Sequence, residues 1–194
     1  MLLRNVLLAF MLVVLSACGE PKLPSPFHAS EVSAKLSGAD FKLIDHNGVP
    51  RSLADFRGKV VVVFFGYIHC PDVCPTTMAD LRQVIGHLGQ EADRVQVLFV
   101  TVDPERDSRA LLKQYVPAFY PTFLGLSGDA AATAEAAKAF NVVYQKQPNP
   151  SGYNVDHSAG SYLIDMKGRV RLISPFGQRT DWLEQDIRLL LALG

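Results

Sequence analysis

Apolar residues fall in short blocks whose period changes along the chain. Residues 40–45 alternate, with Phe41 and Leu43 set against Lys42 and Asp45, and run into His46-Asn47-Gly48. Alternation ending on an Asn-Gly pair predicts a strand that opens a hairpin. Lys59 to Tyr67 contains VVVVFF, an unbroken β-branched and aromatic run that predicts a central strand buried on both faces. From Pro75 the period lengthens: Met78, Leu81, Ile85 and Leu88 make the stripe of an amphipathic helix. Val95 to Val102 predicts another buried strand, and Ser108 to Tyr120 another helix, with Leu111, Leu112, Tyr115 and Phe119 turned inward. Phe123 to Leu126 is a short strand, the alanine-rich Ala130 to Phe140 a helix, and Val142 to Gln145 extended chain. Ser161–Asp165 and Arg169–Ser174, joined through Met166-Lys167-Gly168, predict a hairpin. In the last helix Thr180 is the expected cap and Leu183, Ile187, Leu190 and Leu191 the buried stripe.

Alternating strands and helices closed by a hairpin and a helix describe an α/β domain, a central mixed sheet covered by helices on both faces. The order matches a thioredoxin-like fold, in which a reactive loop follows the first central strand and precedes the first long helix. At 194 residues and 48% hydrophobic, the chain can bury one sizeable core but not two. Nineteen basic against nineteen acidic residues, with no long basic block, exclude nucleic acid as a partner.

The N-terminus stands apart. Arg4 precedes an apolar run from Val6 to Leu15, then the small residues Ser16 and Ala17. A membrane-crossing helix needs about 20 apolar residues, so residues 1–17 are expected to be a signal peptide. Leu15-Ser16-Ala17-Cys18 resembles the bacterial lipobox, which makes Cys18 the expected lipid-bearing residue. Residues 18–35, with Pro21, Pro24 and Pro26, then form a tether, and 36–194 the domain. This arrangement holds the domain at the cell membrane on its periplasmic or extracytoplasmic side, in oxidising surroundings.

Cys70 and Cys74 lie in GYIHCPDVCPTTMADL, where the central strand gives way to the helix. Pro75 suits the first helical position, which puts Cys74 at the cap and Cys70 in the loop before it. A helix N-terminus stabilises thiolate, so a low thiol pKa is expected at both. Three intervening residues let the pair close a disulfide if the loop folds back, and redox exchange and metal binding both stay open. Of the five histidines, His28 in the tether, His46 in a polar turn and His87 on the helix face opposite Met78 are expected to be solvated. His69 adjoins Cys70, but neighbouring side chains of an extended segment point to opposite sides, which makes it a second-choice ligand. His157 precedes an apolar strand, in a loop that faces the cysteine loop in a thioredoxin-like sheet. Disulfide-exchanging proteins of that fold carry a proline there, whereas His157-Ser158-Ala159-Gly160 has none. Asp103 of TVDPERD is a candidate to orient His157 or approach the metal, with a turn or capping role as the alternative. Asp72 carries the same ambiguity, as a cap of the following helix.

The strings FGYIHCPDVCP, TVDPERD, FLGLSGD and NVDHSAGSYLID, in that order between Leu36 and Leu191, resemble the SCO/SenC family of copper-binding proteins that help assemble cytochrome c oxidase. The resemblance implies that Cys70, Cys74 and His157 bind one copper ion. Two soft thiolates suit Cu(I), and an added imidazole accommodates Cu(II). The same ligands with one open position also describe some zinc sites, so the choice of copper rests on the resemblance. It further implies a monomeric copper chaperone that takes its ion from an upstream copper donor and delivers it to the binuclear copper centre of cytochrome c oxidase subunit II. A different class of function is a membrane-anchored thiol-disulfide oxidoreductase, with Cys70 attacking and Cys74 resolving through a Cys70–Cys74 disulfide. A third is a copper or redox sensor.

Overall fold

The computed structural model describes residues 25–32, 34–150 and 152–194. In chain order the strands are β1 (Ser30–Glu31), β2 (Leu43–Asp45), β3 (Pro50–Arg51), β4 (Val60–Gly66), β5 (Val95–Thr101), β6 (Leu124–Ser127), β7 (Tyr144–Asn149), β8 (Gly152–His157), β9 (Ser161–Ile164) and β10 (Val170–Ser174). The α-helices are α1 (Val73–His87), α2 (Arg109–Phe119), α3 (Ala130–Ala139) and α4 (Thr180–Ala192). Eight strands make one sheet in the order β1-β10-β9-β4-β5-β6-β2-β3. β4, β5 and β6 are parallel, and β9 runs antiparallel to β4. Every residue of β4 and β5 is buried, and successive side chains of a strand point to opposite faces, so both faces of the sheet are covered. This is the expected mixed sheet of a thioredoxin-like domain.

Two hairpins form on the same local device. Asp45 accepts from the amides of Asn47 (2.8 Å) and Val49 (3.0 Å), while Gly48 takes φ +90°. Asp165 accepts from the amides of Lys167 (3.0 Å) and Arg169 (3.0 Å), while Gly168 takes φ +79°. An Asp that bonds the backbone two residues on, followed by a glycine free to adopt positive φ, turns the chain without help from the core.

Several local expectations need correction. Leu111 is exposed, because the stripe of α2 runs through Leu112 and Val116, about 100° away per residue. His46 is buried: its Nδ1 accepts from the Gly125 amide at 3.0 Å, and its own amide donates to the Gly125 carbonyl at 2.8 Å. Arg179, not Thr180, caps α4. Packing begins nine residues before the expected boundary at Leu36, since Phe27 and Ala29 are buried and β1 pairs with β10. The amides of His28 and Ala29 donate to the buried Asp186 carboxylate at 2.8 and 2.9 Å, and the His28 ring stacks on Trp182. The signal peptide and Cys18 lie outside the described residues.

β7 and β8 form a separate two-stranded sheet, where the sequence predicted only a short extended piece. Its residues, YQKQPN and GYNVDH, are largely polar and, Val155 apart, exposed or half-buried, so they lack the apolar alternation that marks a half-buried strand. His157 is therefore the last residue of a strand, not a member of a loop.

Candidate metal centre

The central strand ends at Gly66 and the chain crosses to α1 through residues 67–72. β9 pairs with β4 so that Ser161 stands opposite Phe64. Four residues before Ser161, His157 therefore arrives over the same end of β4 from which Cys70 and Cys74 depart. Topology brings the three to one end of the sheet, and their ligand atoms all lie within 4.8 Å of one another.

Each donor has a distinct setting. Cys74 is the second residue of α1 and 0% exposed, while Cys70 is partly exposed; both are free thiols. Pro75 is thus the third helical residue, and Asp72 rather than Cys74 occupies the cap. The Cys74 amide donates to Cys70 Sγ at 3.4 Å. Burial pushes the Cys74 thiol well above its ordinary range, against the low value expected from the helix dipole. A dipole is worth about 0.3–1 kcal/mol near the surface, whereas loss of water penalises a buried thiolate by several pKa units.

His157 Nδ1 lies 3.0 Å from the Ser158 carbonyl oxygen, which only an N–H can satisfy. In the neutral ring this leaves Nε2 without a proton, 3.4 Å from Cys74 Sγ. Burial lowers the imidazole pKa and so keeps the ring neutral, the form that binds metals. Phe64 and Tyr67 meet the ring edge-on, each with centroids 6.0 Å away. The result is two soft sulfurs and one bare nitrogen in one cluster, with Cys74 buried and Cys70 and His157 lining a cleft of ≈ 360 Å³ together with Tyr67, Asp72, Asn154 and Ala159. That donor set fits a soft or borderline cation with room for an incoming ligand.

The two candidate carboxylates take different places, Asp72 at the cap position of α1 and Asp103 on Tyr153 and Arg106. Asp103 does not bond His157; it accepts from the Tyr153 hydroxyl at 2.8 Å and pairs with Arg106 Nε. Asp72 accepts from the Thr76 hydroxyl at 3.3 Å at the rim of the cleft. Asp107, which the sequence did not single out, is 1% exposed and accepts from the Ile68 amide (3.0 Å) and the Thr101 hydroxyl (2.7 Å). It ties the cysteine loop to the end of β5, and burial raises its carboxyl pKa. His69 is half-exposed, with Nδ1 3.7 Å from Asp107, and is not among the clustered ligands. Gly66 was also missed: a Cβ there would stand 3.0 Å from Cys74 Sγ. The available signal was position, since a glycine closing an otherwise bulky buried strand marks a close approach.

A sequence profile described as SCO1/SenC matches residues 29–192. The mitochondrial SCO2 homolog of Mus musculus is 44% identical over 139 residues, which are 70% of this chain and 54% of that protein. The chain spans about half the length of the mammalian relatives it matches. Bradyrhizobium japonicum ScoI, solved with copper bound, shares 38% identity at a TM-score of 0.71, over 79% of this chain and 96% of that one. Apo Sco1 of Thermus thermophilus shares 39% identity at a TM-score of 0.75, over 88% of this chain and all of that one. Sheet order, the convergence of two thiols and an imidazole, and a match across nearly the whole described domain agree, and the chain belongs to the SCO1/SenC family.

Proposed function

We propose that this protein is a copper chaperone of cytochrome c oxidase assembly, binding one ion through Cys70, Cys74 and His157 and delivering it to the binuclear copper centre of subunit II. The observation that carries the proposal is the cluster itself, three soft or borderline donors within 4.8 Å of one another, two of which, Cys70 and His157, line an open cleft. Copper bound in the related ScoI supports the choice of metal. Cys70 and Cys74 hold Cu(I) as thiolates, and His157 Nε2 adds the nitrogen that Cu(II) prefers. The partly exposed Cys70 gives a receiving thiol a point of attack, while the buried Cys74 retains the ion until the second ligand has exchanged.

Two measurements test this. Copper-loaded protein mixed anaerobically with an isolated subunit II domain should lose its ion to that domain, and failure to bind copper at all would remove the proposal. His157→Ala should keep Cu(I) binding but weaken Cu(II) by about a hundredfold, close to 3 kcal/mol, in competition titrations. An unchanged Cu(II) affinity and absorption spectrum would show that the site is misassigned.

Lipid attachment at Cys18 completes the proposal and would place the domain outside the cytoplasm. Among the described residues no helix is long and apolar enough to cross a membrane. The intact mass of protein taken from membranes decides the point: a chain cut before Cys18 and carrying acyl groups supports the anchor, and an unmodified N-terminus rejects it.

Thiol exchange is a second reading, favoured by two free thiols in one small cluster. Turnover of a model disulfide by metal-free protein, lost in Cys70→Ser, would support it.

A further inference from the structure

The pairing of β9 with β4 brings His157 to the site, but its own strand shares no ladder with the main sheet, so side-chain contacts fix how β8 sits there. Val155 is buried in the core, and the polar contacts converge on Tyr153, four residues before His157 on β8. Its hydroxyl donates to Asp103 at 2.8 Å, and its carbonyl accepts from Arg106 Nη1 at 2.8 Å. The Arg106 guanidinium stacks on the Tyr153 ring at 3.7 Å and also lies 5.7 Å from the Tyr67 ring. Lys146 of β7 lies over the same ring at 4.6 Å and pairs with Glu105 at 2.7 Å. Asp103 is buried and holds Arg106 in turn. Tyr67, reached by Arg106, is itself one of the two aromatic walls of the His157 ring.

We infer that Asp103, Arg106 and Tyr153 are positioning residues for the third metal ligand, pinning the β7–β8 hairpin so that His157 Nε2 faces the thiols. The pin acts directly on the strand that carries His157, whereas Cys70 and Cys74 are placed chiefly by β4, α1 and Asp107. It therefore sets how strongly the site favours Cu(II) over Cu(I). Residues 103–107 thus split their work, with Asp107 fastening the cysteine loop and Asp103 fastening the histidine hairpin.

This inference rests on the copper reading of the site, and its test separates the two. Tyr153→Phe removes one hydrogen bond and keeps the ring. Cu(II) affinity is expected to fall about tenfold, with Cu(I) affinity unchanged. In a His157→Ala background the same substitution should have no effect on Cu(II), because a pin that acts through His157 has nothing left to position. An equal loss in both backgrounds would make Tyr153 merely structural and overturn the inference. Absence of copper binding by the parent would instead overturn the copper reading. In metal-free protein, hydrogen exchange across residues 152–158 should quicken in Tyr153→Phe while β4 and β5 stay protected. Unchanged exchange there would also reject the pin.

Discussion

Cys74→Ser is expected to abolish useful copper retention while leaving the fold in place. The residue is 0% exposed, and its Sγ faces His157 Nε2 at 3.4 Å. Serine is nearly the same size, and its hydroxyl can donate to the same nitrogen, so metal-free protein should lose only about 1 kcal/mol of stability. The alcohol does not ionise in the accessible pH range, and its oxygen is a hard donor. One thiolate and one imidazole then remain, and Cu(I) affinity should drop on the order of a thousandfold, about 4 kcal/mol. Competition with a chromophoric Cu(I) chelator measures the first quantity, and thermal unfolding without metal measures the second. Full copper retention by the serine variant would show that Cys74 is not a ligand.

Gly66→Ala should damage stability and binding together. The new Cβ would lie 2.9 Å from Phe64 Cε1, 3.0 Å from Phe99 Cε2 and 3.0 Å from Cys74 Sγ. Both rings are fully buried and have nowhere to swing, so the strand end or the thiol must move. Overpacking of this kind costs about 1–3 kcal/mol, a fall in Tm of about 3–10 °C for a domain of this size. Displacement of Sγ by even a few tenths of an ångström changes its approach to His157, so copper affinity should fall as well. An alanine variant with the parent's Tm and copper affinity would mean that the strand end has room to spare.

What could be read from the sequence divides by how locally each feature is encoded. The all-buried run of β4, the stripe of α1 and the two Asp-turn hairpins are written in neighbouring residues, and they appear as expected. That Cys70, Cys74 and His157 come together was legible because the two thiols flank a helix start and the surrounding strings resemble a known family. The β7–β8 hairpin was not legible, since its strands are polar and are held by Tyr153, Arg106 and Asp103 across about fifty positions of sequence. The low pKa expected for Cys74 failed for a related reason: the helix end is visible in the sequence, but the burial that overrides it depends on how β4, β5 and α1 close around the sulfur. Asp107 escaped notice because a charged run after a strand ordinarily faces water, and here its last member turns inward.

The hairpin's independence from the main sheet makes the site modular. A segment that enters no central ladder can be lengthened, shortened or exchanged without shifting the register of β4, β5 or β9. Cys74 is set in the hydrophobic core by β4 and α1, whereas His157 is carried on a hairpin that reaches the core through Val155 and is fastened by the side chains around Tyr153. A grafted hairpin bearing a different terminal ligand would change which cation the protein prefers while leaving its foldability alone, so metal choice and fold can vary separately.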